Sequence, residues 1–277
     1  MIPFYDSTPP SSPRSIERQH PCVVVVGPDH VGKSSLLRGL AARGRRVVSC
    51  DDDLLEPGYE MLASLRAGWS RAMAAGHAYS RDFLLSGLQL PLVYLRDEML
   101  KRRTRERVVV DSYWYKVLAK CRLYGIDAPR ITNAWREFPA PDRVVVLRAP
   151  DDVLWERAGR GRHLNPFEYY GEAPTRDGYL AFQRDLVREM LDDAREVPAV
   201  AIDAGADLDQ VLAAAERAIA RDDDEEADDG DDGAPGGGSA KARRAVHRHA
   251  AHHVDHAPVE RGLAGSSTVE PKKKVSG

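Results

Sequence analysis

The chain has 277 residues, 43% of them hydrophobic and 30% charged, with a formal net charge of -3. That leaves room for one large or two small domains around a core, and the near-neutral balance points to no particular partner. No apolar run reaches membrane-spanning length, no charged stretch followed by an apolar core marks a secretory signal, and three cysteines (Cys22, Cys50, Cys121) read as reduced core thiols of a cytoplasmic protein.

Residues 1–20, rich in Pro and Ser, read as a flexible N-terminal segment. A β-branched run, Val23 to Val26, then predicts a buried strand that delivers Gly27-Pro28-Asp29-His30-Val31-Gly32-Lys33-Ser34 to the start of a helix containing Leu36, Leu37 and Leu40. Gly44 is placed to close that helix, and Val47 to Cys50 predicts a short second strand. Helices are expected over Tyr59 to Ala75 and Ser80 to Arg103, the second broken or kinked near Pro91. Arg107 to Val110 predicts a third strand ending at Asp111, and Tyr113 to Tyr124 a helix closed by Gly125. A fourth strand spans Arg143 to Leu147, a helix starts at Pro150-Asp151, Val200 to Ile202 forms a fifth strand, and Leu208 to Ala220 a last helix. From Arg221 onward an acidic run gives way to glycines and a Lys, Arg and His-rich stretch, so 221–277 reads as a disordered charged tail and 21–220 as the folded domain.

Valine-rich strands alternating with helices predict an α/β architecture: a five-stranded parallel sheet with helices on both faces. Ligands in such sheets sit beyond the carboxyl ends of the strands, which gathers residues 27–34, 51–53 and Asp111 into one crevice. The loop matches every fixed position of G-x-x-x-x-G-K-[ST], the phosphate-binding P-loop, in the strand-to-helix context the motif requires. Glycine lets backbone amides approach phosphate, Lys33 supplies a cation for the β and γ phosphates, Ser34 offers a hydroxyl to Mg²⁺, and the helix adds its positive dipole end. ATP and Mg²⁺ are the implied cofactors, in a three-layer P-loop NTPase fold with a lid segment.

Asp111, at a strand end facing the phosphates, suits a metal ligand with Ser34 or a cap for the next helix. Arg157, Arg160 and Arg162, two of them beside glycines, suit a mobile lid that meets the charge spread over a transferring phosphoryl group. Asp51-Asp52-Asp53 offers a base for a substrate hydroxyl, a ligand to a metal-bound water, or a helix cap; Asp52 represents the group among the candidate catalytic residues. The basic cluster Lys101 to Arg105 sits at a helix end, where it reads as a solvated face and not as a nucleic-acid contact.

Over residues 20–220 the chain resembles the thymidylate kinase family of P-loop nucleoside monophosphate kinases. The resemblance rests on residues 27–35, Glu56-Pro57-Gly58, Val108 to Tyr113, and Ala140 to Pro150 leading to Trp155-Glu156-Arg157. It implies an enzyme that uses MgATP to phosphorylate a nucleotide, with Gly27, Asp29, Gly32, Lys33, Ser34 and Ser35 around ATP, Asp111 serving metal and acceptor, and Arg157, Arg160 and Arg162 in the lid. Ser112 and Leu90 stand where the family carries arginines on the acceptor side, with Arg81 or Arg96 as substitutes, and His30 stands where some members place a P-loop arginine. Three readings stay open: a kinase for a dTMP-like monophosphate, a kinase for a nucleoside or other hydroxyl acceptor, and a nucleotide-binding regulator without turnover. The partner expected is a small-molecule phosphoryl acceptor, in a protein off the membrane and off nucleic acid, with a homodimer as a further expectation.

Overall fold

Five short runs of β-branched and small residues pair side by side, all parallel, in the order β2-β3-β1-β4-β5. The computed structural model describes residues 21–74, 79–101, 107–126 and 128–220, and the expected N-terminal segment and charged tail lie outside them. The strands are β1 (Cys22–Val26), β2 (Val47–Val48), β3 (Val108–Asp111), β4 (Arg143–Arg148) and β5 (Ala199–Asp203). The helices are α1 (Lys33–Ala42), α2 (Glu60–Ala74), α3 (Arg81–Leu100), α4 (Tyr113–Leu123), α5 (Pro129–Arg136), α6 (Asp151–Arg157), α7 (Arg176–Asp193) and α8 (Leu208–Ala220), with 3-10 turns at Asp52–Leu54 and Gly159–Gly161.

β1 is central and buried at every residue, as a strand of one cysteine and four valines covered on both faces must be. Its register sets the site: Val25 lies opposite Asp111 of β3 and Val26 opposite Val146 of β4. The loop after β1 and the acid ending β3 therefore emerge together at the carboxyl edge of the sheet.

Alternate residues of β1 feed two cores. Val23 and Val25 pack with Leu36, Leu37 and Leu40 of α1, Leu154 of α6, and Val211 and Leu212 of α8. Val24 and Val26 face the opposite layer, with Leu92 and Leu95 of α3, Leu118 of α4 and Trp135 of α5. α7 serves both layers, giving Tyr179 and Leu180 to the first and Phe182, Leu186 and Met190 to the second. The buried Arg143 of β4 donates to the Ala218 carbonyl at 2.7 Å, tying the last turn of α8 to the sheet.

The α/β class, the parallel five-stranded sheet and its flanking helices are as expected. Gly44 takes a φ of 86° just past α1, and Gly125 closes α4, each donating its N–H back to a carbonyl of the final turn at 2.9 Å. Three details differ. α3 runs unbroken from Arg81 to Leu100 with Pro91 inside it. β2 keeps two residues instead of four, because only Val47 and Val48 pair with β3. Two helices went unassigned from sequence: α5 is short and mostly polar, burying only Thr132 and Trp135, and α7 interrupts its apolar stripe with the buried Gln183.

Leu36 is wholly buried on α1, whereas Leu90 on α3 is 46% exposed. Leu36→Ala should lower unfolding free energy by about 2–5 kcal/mol in a urea titration, while Leu90→Ala should stay within about 0.5 kcal/mol of the parent.

Candidate functional site

The loop between β1 and α1 can take its path only with glycine at its two ends. A Cβ on Gly27 would stand 2.9 Å from the Leu147 carbonyl oxygen and 3.2 Å from both Leu147 Cβ and Val31 Cγ1. Gly32 caps α1 with a φ of 104°, a region side chains avoid. His30, between them, also holds a left-handed conformation, at φ 65°. Lys33 and Ser34 open α1 partly buried, and Ser35 is exposed beside them.

The Lys33 ammonium lies 3.6 Å from Asp111 Oδ1. Two hydroxyls fix that carboxylate: Ser49 Oγ donates to Oδ2 and Ser112 Oγ to Oδ1, both at 2.9 Å. Ser112 and Tyr113 both adopt positive φ, 55° and 49°, so the chain bends sharply into α4 immediately after Asp111. The Ser112 amide donates to the Val25 carbonyl at 2.9 Å, locking this bend to β1. Burial alone would raise the Asp111 carboxyl pKa, but Lys33 and Lys116 outweigh it and hold the group below the ordinary carboxylate range. Burial and Lys116 push the Lys33 pKa down against the pull of Asp111 and Asp29.

Asp29 is held differently from the rest of its loop. Lys116 Nζ is 2.5 Å from Oδ1, Lys120 Nζ is 3.0 Å from Oδ2, and Gln183 Nε2 donates to Oδ2 at 3.3 Å. Its amide donates to Gln183 Oε1 at 2.7 Å, and its carbonyl accepts from the Tyr179 hydroxyl at 2.7 Å. Burial favours the neutral acid, yet Lys116 and Lys120 keep the Asp29 carboxyl well below its usual range. Of Asp29, expected around ATP, the amide and carboxylate meet Lys116 and Lys120 of α4 and Gln183 of α7.

Of the three arginines assigned to a lid, one reaches the loop. Arg157, ending α6, donates to the Val31 carbonyl at 2.7 Å, and its guanidinium lies near Gly32. Arg160 forms an exposed pair with Glu156 at 2.8 Å, and Arg162 donates to the Gly159 carbonyl at 3.0 Å. The segment following them does touch the loop, through His30 Nε2 at 3.1 Å from Glu168 Oε2. Asp52 also stands apart, in an exposed ion pair with Arg66 at 2.5 Å, while Asp53 pairs with Arg38 at 3.2 Å. Asp51 is the half-buried member of the trio and donates its amide to Ser49 Oγ at 3.1 Å, next to Asp111. Arg96 lies over the Phe138 ring at 4.8 Å and pairs with Asp97 at 2.8 Å.

Sequence reasoning missed Lys116, Lys120, Gln183, Tyr179 and Glu168. The available signal was the Lys116–Lys120 spacing, which stacks two cations on one side of a helix otherwise rich in buried residues. Gln183 carried a similar one, a polar residue inside the apolar stripe of α7.

No family model matches the chain, and no curated protein does. Among solved structures it is similar to a deoxyadenosine kinase from M. mycoides with the products dCMP and dCDP bound, at 10% identity over 71% of this chain and 97% of that one, with a TM-score of 0.48. It is also similar to a thymidylate kinase from Candida albicans (15% identity, 73% and 91% covered, TM-score 0.48) and to a gluconokinase from Sinorhizobium meliloti 1021 (22%, 73% and 95%, TM-score 0.37). Likeness at this level extends to neither substrate nor mechanism. Among the described residues no helix is long and apolar enough to cross a membrane.

Because Asp29 and Asp111 have folded pKa values below their unfolded values, their stabilising contribution is complete above about pH 4 and is lost as pH falls towards the folded values. Thermal melts from pH 6 to pH 2 should show stability falling on the acid side, by at most about 1.4 kcal/mol per pH unit per carboxylate. Asp29→Asn should flatten that limb.

Proposed function

We propose that this chain is an ATP-dependent phosphotransferase whose acceptor is a nucleoside monophosphate of the dTMP kind. The observation that carries the reading is the Lys33 ammonium set 3.6 Å from Asp111 where a glycine-bounded loop enters a helix. The residues fit MgATP by shape and by donor chemistry. Gly27 lies where a Cβ would meet Leu147, Gly32 bends the loop into α1, Lys33 offers an ammonium to the terminal phosphates, and the Ser34 hydroxyl and Asp111 carboxylate form a hard oxygen pair suited to Mg²⁺. When bound, Mg²⁺ would supply charge neutralisation to the phosphate groups.

The protein's own part is positioning and electrostatics. Lys33 and Lys116 keep Asp111 ionised, Ser49 and Ser112 aim it, and the positive end of α1 adds to the field of Lys33. Arg157, already seated on the loop through Val31, takes the role assigned to a lid arginine with less motion than Arg160 or Arg162 would need. Asp51, beside Ser49, is better placed than Asp52 to meet an acceptor hydroxyl.

A second reading, a nucleoside or other hydroxyl acceptor, is favoured by Ser112 and the half-exposed Leu90, neither of which offers a cation to an acceptor phosphate. A coupled assay with MgATP against dTMP, thymidine and a panel of alcohols separates the two: the first expects turnover of dTMP, and turnover of thymidine without dTMP overturns it. In the same assay Arg157→Ala should lower kcat/KM by about 10² or more, and Arg160→Ala should stay within about twofold of the parent. Equal losses at both positions would sink the assignment of Arg157.

A further inference from the structure

An ionised acid inside a phosphate-binding loop repels a polyphosphate unless a counter-charge answers it. Asp29 nevertheless stands inside the Gly27–Ser34 loop, 8% exposed, close enough for Lys33 to feel its charge. Every polar group of Asp29 is turned to a partner outside the loop. Two ammonium groups, 2.5 and 3.0 Å away, meet its carboxylate, and Gln183 and Tyr179 take its amide and carbonyl. Lys116 and Lys120 occupy successive turns of α4, so one helix face supplies both cations. The other charges in reach are Lys33 and Asp111, paired to each other, and Glu168, held by His30 and Asn165.

We propose that Lys116 and Lys120 are positioning residues of the phosphate cradle, cancelling the Asp29 charge and holding that residue against α4 and α7 so that Lys33 and the glycine-bounded remainder of the loop meet a polyphosphate unopposed. The inference rests on the nucleotide-binding reading above and adds to it the counter-charge that makes this particular loop competent. A purely structural ion cluster would stabilise the fold without regard to the charge of a ligand. A counter-charge has a distinct signature: its removal harms anion binding, and neutralising Asp29 restores it.

Calorimetric titration of the full chain with MgATP reads this directly. Lys116→Met and Lys120→Met should each weaken binding by about tenfold or more, and adding Asp29→Asn to either should return the affinity to within about threefold of the parent. Lys120→Arg, which keeps the charge, should bind as the parent does. Thermal melts establish which variants are folded, and Lys120, the more exposed of the pair, decides the matter if Lys116→Met does not fold. Unchanged affinity in the Lys→Met chains, or no recovery on adding Asp29→Asn, overturns this inference alone. A parent chain that takes up no MgATP overturns the nucleotide reading and this inference with it.

Discussion

Opposite charges alternate at the carboxyl edge of the sheet, where the strand register brings them close, and the rest of the site follows from that constraint. β1 and β3 run side by side with Val25 opposite Asp111, so the loop leaving one strand and the acid ending the other emerge close together. Charges brought so near in a partly buried space are tolerable only when each faces an opposite partner. Lys33 faces Asp111, Asp29 faces Lys116 and Lys120, and His30 faces Glu168. The arrangement is a lattice of paired charges, each held by a named partner.

The same constraint explains why sequence revealed some of the site and hid the rest. A loop of glycines, lysine and serine between a valine strand and an amphipathic helix is a local pattern, readable within a dozen residues, as is an acid that ends a valine strand. Partners supplied from far along the chain leave a fainter mark, such as the polar Gln183 inside the apolar stripe of α7. Gln183 reaches Asp29 across 154 positions, and Tyr179 across 150. Adjacent charges part for the converse reason: Asp51 to Asp53 are neighbours in sequence, but the short turn at Asp52–Leu54 sends Asp52 and Asp53 outward to Arg66 and Arg38. Arginines beside glycines suggested mobility, and Arg160 does adopt a left-handed backbone, yet its guanidinium closes back on Glu156 within one helical turn.

The fold itself was more legible than the site because burial writes itself into composition. Five parallel strands appear as short valine-rich runs, and the helices beside them as apolar stripes. Helices fail to register where polarity breaks the stripe, in α5 and in α7, and of these two α7 reaches the loop between β1 and α1. In α7 the residue that weakens the folding signal, Gln183, is also one that holds Asp29, a pattern expected when local consistency gives way to a tertiary contact.

The double allegiance of α7 bears on how the protein matures. Because the helix seals both hydrophobic layers and also grips Asp29 through Gln183 and Tyr179, the motif near the N-terminus stays incomplete until residues synthesised some 150 positions later have docked. A nascent chain emerging in order thus carries the entire glycine-lysine signature long before it holds a finished pocket. The supports of that loop arrive late, with closure of both hydrophobic layers.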